Sequence, residues 1–399
     1  MSVHADVLVV GAGVTGLSTA YSLCKRGKKV ILAEKTAMGA GASGACDDMI
    51  LLQSKKPGIL LEMAFKSLEL FRNLEKDLPN NIELENRGGM ILIENEFQLK
   101  AMEEFAASQN KYGLGVEIVD KKQVKKLQPN VSDHIIASTY CSQDSQVNPM
   151  ELMKAFMLAS RSMGMNMVTR VHPVELKQNA SKWTARLSDG TVVESEAVVN
   201  ATGVHANEVC GLVGIEVPIT PLKGQVLVTE QLPRIGETNV WSALYIASKL
   251  KKNELVGTSN PMAEKYGLGF AFSGTLSGTY LIGSTREKAG FDRTTIPEAI
   301  ALLGNQARHF FPVLANAHII RTFAGLRPST PDGMPFVGEF SALPGFYIAA
   351  GHEGDGIALS AITGKVVADM ICGVTPEFDL SELTADRFMG KQEKIHGAG

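Results

Sequence analysis

A short glycine-rich segment near the start of the chain restricts the possible folds more than any other feature. The sequence GAGVTG (11–16) follows an apolar run at 6–10 and precedes a helical pattern over 17–26, and a second apolar run covers 29–33. This order predicts a strand, a tight turn, a helix and a parallel strand, with the turn placed to approach a pyrophosphate. Unpaired N–H groups at the helix start favour such an anion. The segment therefore predicts a Rossmann-like unit that binds a dinucleotide.

Glu34 ends the second apolar run and indicates how the ligand is held. It lies about 20 residues after Gly13, where a carboxylate can accept hydrogen bonds from both ribose hydroxyls and would repel a 2′-phosphate. NAD and FAD share this arrangement, so it leaves the choice between them open. Small-residue segments at 39–44, 198–203 and 351–356 favour the longer cofactor, because their order along the chain suits contacts beyond the pyrophosphate. The last of them precedes a helix, whose dipole can stabilise negative charge.

The rest of the chain divides into helical and strand patterns. Helices are predicted at 57–78, 96–112, from Pro149 onward, at 297–309 and at 355–372, and strands at 87–95, in three runs between 166 and 202, and at 218–229, 243–247, 255–257 and 279–284. Dinucleotide-fold patterns thus occur near both ends, with antiparallel patterns between them. The turn sequence SDG, which favours a hairpin, lies in this middle part.

These patterns predict an α/β protein with an α+β second domain. One domain is Rossmann-like and built from discontinuous segments, and the other is a mixed, largely antiparallel sheet. The predicted boundaries are 1–86, 146–217 and 323–399 for the cofactor domain, and 87–145 and 218–322 for the substrate domain.

Charge and cysteine content exclude several function classes. Basic residues number 39 against 42 acidic ones, so no basic excess supports a nucleic-acid partner. Five separated cysteines without a CxxC give no support to a zinc ribbon, a cysteine-ligated iron–sulfur cluster or a disulfide framework, and no metal site is expected. No stretch approaches the ~18 apolar residues of a membrane span. A cytoplasmic location is expected, with peripheral membrane contact left open.

Characteristic segments follow one another in a definite order along the chain. They are GAGVTGLSTA at 11–20, Glu34, GAGASGA at 39–45, VVNATG at 198–203, PLKGQV at 221–226, AGLRPSTPDGMPFVG at 324–338 and GHEGDGIALS at 351–360. In this order they resemble the D-amino-acid oxidase-type FAD-dependent oxidoreductases. Within that family the chain looks most like the branch of glycine oxidase, sarcosine oxidase β subunits, and the flavin subunits of D-hydroxyproline and opine dehydrogenases. The resemblance extends from residue 7 to residue 369.

The resemblance implies an FAD site built from these separated segments. The residues expected to contact the cofactor are Gly11, Gly13, Val14, Thr15, Gly16, Glu34, Lys35, Gly41, Ala42, Ser43, Val174, Ala201, Thr202, Gly203, Gly325, Arg327, Gly351, His352, Glu353, Gly354, Asp355, Gly356 and Ile357. Non-covalent binding is expected. Cys46 lies near a predicted contact but is not expected to form a thioether, and Cys372 lies in an apolar helical stripe that suits core packing.

Three residues are candidate catalytic residues. Arg327 is implied to bind the substrate carboxylate, since a guanidinium can form two parallel hydrogen bonds with it; the alternative is a pair with Asp332 that orders the loop. Tyr245 is implied to assist with the same carboxylate, or is a core or cross-strand tyrosine. His352 is implied to hydrogen-bond the flavin or the substrate amine, or caps the helix that follows.

Two further regions have open roles. The adjacent acids Asp47 and Asp48 lie where relatives approach the flavin ring, although adjacent acids more often form a solvated turn. An insertion at 249–278 is hypothesised to shape the site entrance or to dock an electron-transfer subunit. If it covers the site, Phe270, Phe272 and Tyr280 would form an apolar wall.

The resemblance implies oxidation of the C–N bond of a small amino acid or secondary-amine acid, of the D-proline, D-hydroxyproline, glycine, sarcosine or opine type. Hydride transfer to flavin N5 would give an imine. Electrons would then pass to an external acceptor or to a partner subunit carrying an iron–sulfur cluster or a second flavin, in a hetero-oligomer. The alternatives are a true oxidase that uses O2, a hydroxy-acid or glycerol-phosphate dehydrogenase, and a non-catalytic flavin-binding subunit.

Overall fold

A computed structural model of the chain describes residues 2–250 and 261–389. Its helices are α1 (Val14–Cys24), α2 (Ile59–Asp77), α3 (Glu96–Asn110), α4 (Lys121–Leu127), α5 (Pro149–Ser162), α6 (Ala206–Gly211), α7 (Ala243–Leu250), α8 (Pro261–Lys265), α9 (Pro297–Phe310) and α10 (Gly356–Ile371). The expected glycine-turn helix begins three residues earlier than predicted, at Val14. None of the described helices is long and apolar enough to cross a membrane.

The strands alternate with these helices at the start of the chain and follow one another in its middle. They are β1 (Ser2–His4), β2 (Val7–Val10), β3 (Val30–Glu34), β4 (Met49–Ile50), β5 (Gly89–Ile93), β6 (Val116–Asp120), β7 (Ala137–Cys141), β8 (Ser145–Gln146), β9 (Asn166–Thr169), β10 (Pro173–Asn179), β11 (Lys182–Leu187), β12 (Val192–Ser195), β13 (Ala197–Asn200), β14 (Thr220–Thr229), β15 (Asn239–Ser242), β16 (Ala271–Gly274), β17 (Tyr280–Gly283), β18 (Ile319–Ser329), β19 (Phe336–Glu339) and β20 (Phe346–Ala350).

The first large sheet has six strands in the order β19-β20-β13-β2-β3-β9. The strands from β20 to β9 are parallel, and the edge strand β19 is antiparallel to β20. Alternate residues of β2 face opposite layers: Val7 and Val9 pack with helices α1, α2, α5 and α10, whereas Leu8 and Val10 pack with the four-stranded sheet β1-β12-β11-β10. Both faces are therefore covered, which explains the continuous apolar sequence of a buried parallel strand.

The second large sheet has eight strands in the order β18-β14-β17-β16-β15-β5-β7-β6. Its neighbours are antiparallel except for β15 and β5, which are parallel. Helix α9 covers one face through an aromatic core, and α3 and α7 contribute to an apolar cluster elsewhere on the sheet. The predicted α/β class with a mixed, largely antiparallel second sheet is confirmed.

One predicted strand is wrong, and another lies outside the described residues. The segment 243–247 belongs to helix α7, where the Ser242 hydroxyl accepts a hydrogen bond from the Tyr245 N–H and so caps the helix start. A short apolar run does not by itself distinguish a strand from a buried helix. The predicted strand 255–257 falls in the gap at 251–260. The proposed domain boundary at 322/323 lies inside β18.

The contact between α1 and α10 yields a prediction about stability. A Cβ atom at Gly364 in α10 would lie 2.3 Å from the Ser18 hydroxyl and 2.5 Å from the Ser18 main chain in α1. We expect Gly364→Ala to lower the free energy of unfolding by about 1–3 kcal/mol, because the helices must separate. Chemical denaturation of the FAD-free and FAD-loaded protein measures this change.

Gly304→Ala is the matched control, since Gly304 also lies inside a helix, α9, but has no atom within 4 Å of the added Cβ. It is expected to raise stability by about 0.5–1 kcal/mol through helix propensity. Equal effects of the two substitutions would contradict the tight helix contact.

Candidate active site

A cavity of about 650 Å³ lies where the parallel strands of the six-stranded sheet end. Its walls include the final residues of β2, β3 and β20 and the residues that follow β13, and it continues to β14 and β18 of the eight-stranded sheet. Ligands of open parallel sheets bind at this edge, because the turns after the strands meet there. The cavity has the size of a cofactor or ligand site.

Most of the residues expected to contact the cofactor or substrate line this cavity. They are Gly11, Gly13, Val14, Thr15, Glu34, Lys35, Gly41, Ala42, Ser43, Val174, Ala201, Thr202, Gly203, Tyr245, Gly325, Arg327, Gly351, His352, Glu353, Gly354, Gly356 and Ile357. Gly16 and Asp355 do not line it. Gly16 packs against the glycine turn, and the Asp355 carboxylate pairs with the buried Lys55 ammonium at 2.7 Å.

The glycine turn has no room for side chains. Gly11 has a φ of +105°, and a Cβ there would lie 2.6 Å from the carbonyl oxygen of Ala201. A Cβ on Gly16 would lie 2.0 Å from the Gly11 carbonyl oxygen. The Val14 N–H donates to the Ser43 hydroxyl at 3.1 Å, which fixes the loop after β3 over the start of α1. The turn thus combines a helix N-terminus with an open main chain, as a pyrophosphate requires.

Glu34 is held at the end of β3 by main-chain donors. One carboxylate oxygen accepts from the Ala12 N–H at 2.8 Å, and the other accepts from the Thr36 N–H at 2.7 Å. The side chain is half-buried and lines the cavity. Its remaining lone pairs are therefore presented in a defined direction, which suits hydrogen bonds from a ribose.

Arg327 projects from β18 into the part of the cavity nearest the eight-stranded sheet. Its guanidinium donates to the Thr285 carbonyl oxygen at 3.0 Å and to the Ser284 hydroxyl at 2.8 Å. It lies across Gly224 of β14, where a Cβ would be 2.3 Å from Nη1. The alternative pair with Asp332 is wrong, because Asp332 binds Arg387 instead, at 2.8 Å.

A second arginine beside Arg327 is not predicted from the sequence. Arg286 pairs with the Glu353 carboxylate at 2.5 Å, and the same Glu353 oxygen lies 4.0 Å from Arg327 Nε. Glu353 has a φ of +52°, a left-handed conformation that turns the loop after β20 towards these cations. Arg286 follows a strand end without any recognisable motif, so only the fold reveals it.

His352 lines the cavity, but most of its side chain is buried. Its Nε2 shares a hydrogen bond with the Thr363 hydroxyl in α10 at 3.1 Å. Burial lowers the pKa of His352 to about 4, although the nearby Asp355 carboxylate raises it in part. The imidazole is therefore neutral at neutral pH. It does not cap α10, whose first turn begins after Asp355.

Tyr245 lies on α7 and is 8% exposed. Gly269 packs so closely beside it that a Cβ there would be 2.7 Å from its ring. The residue belongs to the core cluster of the eight-stranded sheet and also lines the cavity. The core interpretation therefore holds, and the cross-strand interpretation is wrong because Tyr245 lies on a helix. Its role towards a substrate carboxylate stays a prediction.

The acids Asp47 and Asp48 have different surroundings. Asp47 lines the cavity, whereas Asp48 is 6% exposed, so a solvated turn is wrong for Asp48. Burial, with a contribution from the neighbouring Asp47 carboxylate, raises the pKa of Asp48 to about 7. Asp48 therefore belongs to the protein interior, and Asp47 belongs to the cavity wall.

The predicted aromatic wall is wrong. Phe270, Phe272 and Tyr280 are buried in the core beneath α9, and they are not part of the cavity lining. The Phe270 ring stacks on Phe310 with centroids 4.5 Å apart, and Phe272 stacks on Phe311 at 4.6 Å. These rings stabilise the sheet instead of selecting a substrate.

Two cysteines singled out in the sequence also differ in position. Cys46 lines the cavity, and burial raises the pKa of its thiol, which suppresses the nucleophilic thiolate. Cys372 caps the end of α10 and is half-buried, away from the cavity lining.

Comparison with protein families matches residues 6–370 to the family described as FAD dependent oxidoreductase (DAO). The chain belongs to this family. The predictions of a D-amino-acid oxidase-type flavoprotein, of FAD as the cofactor and of an oxidoreductase are confirmed.

Named relatives match almost the whole chain. Glycine oxidase from Geobacillus kaustophilus (strain HTA426) is 28% identical over 97% of this chain and 98% of its own length. An opine oxidase subunit from Agrobacterium tumefaciens (strain Ach5) is 24% identical over 97% of this chain and 98% of its own. The crystal structure of the Geobacillus kaustophilus glycine oxidase superposes with a TM-score of 0.87 at 27% identity, covering 97% of this chain and 100% of the other.

The described residues fit FAD on their own geometry. The glycine turn at 11–16 leaves an open main chain at a helix N-terminus, where the pyrophosphate would lie, and Glu34 faces the ribose position. The loop 351–356 and the neutral His352 border the end nearest Arg327, where the flavin ring would lie. The cavity connects both ends, so one long ligand can contact all of these segments.

The raised pKa of Asp48 predicts how stability depends on pH. Between about pH 4 and pH 7 the folded protein retains a proton on Asp48 that the unfolded chain has lost, so the stability that this group contributes falls as the pH rises. We expect Asp48→Asn to raise the free energy of unfolding above pH 7 by on the order of 1–4 kcal/mol, and to show no gain near pH 4. Thermal denaturation across this range measures the difference.

Asp144→Asn is the matched control. Burial also raises the pKa of Asp144 to about 7, but its carboxylate accepts from the Leu52 N–H at 2.7 Å and the Gln53 amide at 2.6 Å. An asparagine would leave one of these donors without an acceptor, so we expect a loss of stability at every pH. A gain at high pH in both variants, or in neither, would contradict the assignment for Asp48.

Proposed function

We propose that this protein oxidises the C–N bond of a small amino acid or secondary-amine acid, giving an imine, and passes the electrons to an acceptor outside the chain. The substrate would be of the D-proline, D-hydroxyproline, glycine, sarcosine or opine type. One observation carries the proposal: Arg327 is held rigidly inside the FAD cavity while part of its guanidinium stays available. The names of the relatives, a glycine oxidase and an opine oxidase subunit, support the same class.

Arg327 can bind a carboxylate without losing its present contacts. A guanidinium has five N–H donors, and the bonds to Thr285 and Ser284 use one donor on each terminal nitrogen. The remaining donors can form two parallel bonds to a carboxylate. Because two fixed acceptors orient the group, little conformational entropy is lost when the substrate binds.

The charges around Arg327 suit a single anionic group. Glu353 balances the charge of Arg286, which leaves Arg327 as the guanidinium beside this pair that can attract an anion. A phosphate substrate would call for more cationic groups than this. Since Arg327 is 16% exposed in its side chain, its attraction for the carboxylate is only weakly screened.

FAD, when bound, supplies the acceptor for the two electrons that leave the substrate carbon. The protein residues orient the substrate: Arg327 binds the carboxylate, and Tyr245 borders the same compartment. His352 is neutral, so it can accept or donate a hydrogen bond near the amine without repelling a cationic substrate. Proximity and orientation of this kind account for a large part of a typical rate enhancement.

The route of the electrons after the flavin leads out of the chain. The five cysteines are all free, and no three of them converge as a ligand group among the described residues. A relative that is named as a subunit supports a hetero-oligomer in which another chain accepts the electrons. We therefore infer that a partner subunit accepts the electrons, and the alternative is an oxidase that uses O2.

An anaerobic reduction assay tests the substrate class. The untagged, FAD-loaded protein is mixed with D-proline, D-hydroxyproline, glycine, sarcosine or an opine, and loss of the yellow flavin colour is followed. At least one of these compounds is expected to bleach the flavin, with a rate that saturates. Glycerol 3-phosphate and lactate are the controls and are expected to leave the colour unchanged.

Two outcomes would contradict parts of the proposal. Bleaching by the hydroxy compounds alone would overturn the C–N assignment. Full turnover of the lone chain with O2, at the rate reached with an artificial dye, would overturn the partner subunit while leaving the substrate class intact.

Substitution of Arg327 tests its role. Arg327→Lys keeps the charge but loses the two parallel donors, so kcat/KM is expected to fall by about 100-fold or more. The flavin absorbance spectrum should persist, because the cofactor is held mainly by the glycine segments. Steady-state kinetics and the spectrum of the purified variant measure both effects.

Arg293→Lys is the matched control in the same cavity. Arg293 donates to the Ala40 carbonyl oxygen at 3.1 Å, in the loop after β3, away from Arg327. We expect the KM of Arg293→Lys for the substrate to stay within about threefold of the wild-type value. If Arg327→Lys reached saturation at the same substrate concentration as the wild type, Arg327 would not be the residue that binds the substrate carboxylate.

A further inference from the structure

Three metal-ligating side chains converge in the domain of the eight-stranded sheet. Glu94 directly follows β5, His134 lies between α4 and β7, and His309 lies in the last turn of α9. Their ligand atoms all lie within 4.8 Å of one another. Nε2 of His309 is 2.8 Å and Nε2 of His134 is 3.2 Å from the same Glu94 oxygen. None of the three residues lines the FAD cavity.

The imidazole ring of His134 is held in the way that is typical of metal-binding histidines. Its Nδ1 shares a hydrogen bond with the Ser132 hydroxyl at 2.8 Å, and the Ser132 N–H donates to the Phe310 carbonyl oxygen at 2.8 Å. Metal-binding histidines are usually fixed through their second nitrogen in this way. The other nitrogen, Nε2, is buried and makes no hydrogen bond with the described residues, although it faces Glu94. A buried polar atom without a partner is unfavourable unless something else satisfies it.

The two imidazole rings are arranged for a shared ion. Their centroids are 4.1 Å apart with the planes tilted by 32°, and both Nε2 atoms lie within 3.2 Å of one carboxylate oxygen. Two protonated imidazoles at this distance would repel each other, whereas two neutral ones each offer a lone pair. The His309 side chain is 53% exposed, so water has access to the cluster.

We propose that Glu94, His134 and His309 bind a divalent transition-metal ion of the zinc type, with water at the open position. Two imidazole nitrogens and one carboxylate oxygen are a known zinc ligand set. The Glu94 oxygen lies 2.8 Å and 3.2 Å from the two Nε2 atoms, and all three ligand atoms lie within 4.8 Å of one another, so side-chain movements can close them around one ion. The ion would join the end of β5, the segment before β7 and the end of α9. No metal is expected from the sequence, because ligands at 94, 134 and 309 form no local motif.

Zinc binding to the intact protein tests the site. The untagged FAD-loaded protein is dialysed against Zn²⁺ buffered in the micromolar range, and bound zinc is quantified by mass spectrometry. About one zinc per chain is expected for the wild type. His309→Ala and Glu94→Gln are expected to lose this zinc, and both positions are exposed enough for the fold to tolerate the change.

His318→Ala is the matched control. His318 pairs with Glu230 at 2.8 Å on the surface, but no second histidine joins that pair among the described residues. This variant is expected to bind zinc like the wild type. Equal loss in the control would mean that zinc binds elsewhere, and would overturn the proposal.

The variant Ser132→Ala tests whether the three side chains form a metal site or only a surface cluster. It leaves all three ligands in place but removes the hydroxyl that orients His134, so zinc affinity is expected to fall by about 10- to 100-fold. Zinc should also raise the melting temperature of the wild type and not of His309→Ala. Absence of stoichiometric zinc in the wild type, or unchanged affinity in His309→Ala and Glu94→Gln, would contradict the proposal.

Discussion

The parallel arrangement of β20, β13, β2 and β3 is the constraint on which the rest of the structure depends. Parallel strands end at one edge, so the turns after these four strands meet there although they are far apart in the chain. The cofactor cavity therefore exists only after the last strand and α10 have joined the first forty residues. Helix α10 contacts α1 so closely that Gly364 has no room for a side chain. A larger residue there would disturb this association.

The same edge determines the electrostatics of the site. The loop after β20 brings Glu353 to two guanidinium groups, and the segment after β3 places Asp47 in the cavity wall. With Glu353 paired to Arg286, one cationic group is left for an anionic substrate.

Local contacts explain which features could be predicted from the sequence. The glycine turn, α1 and Glu34 are adjacent in the chain, and their spacing determines their geometry, so the Rossmann unit and its class follow from the residues. The segment 243–247 is an apolar run too short to show a helical or strand period. The Ser242 hydroxyl caps its start, which favours a helix. The aromatic residues near 270 are expected at the site only because an insertion could cover it, and their packing under α9 depends on contacts that only the fold brings about.

Charge pairs are the hardest feature to predict, because they join distant segments. Arg286 and Glu353 are brought together by two loops from different sheets, and Arg327 differs from them only in lying within a recognisable segment. The pair Arg387–Asp332 shows the same limit: an acid five residues from Arg327 in the chain binds an arginine 55 residues away instead. Sequence proximity is a weak guide to salt bridges once loops are folded over a sheet.

The substrate side of the site depends on the eight-stranded sheet, which helix α9 stabilises. Arg327 projects from β18, which pairs with β14, and α9 covers this sheet through contacts of Phe270 with Phe310 and Phe311. The His309 end of α9 is joined to β5 and to His134 by the proposed metal site. An ion there would resist separation of α9 from the sheet without contacting the cavity. Its removal should therefore loosen the support of Arg327, and lower thermal stability, before it alters the chemistry at the flavin.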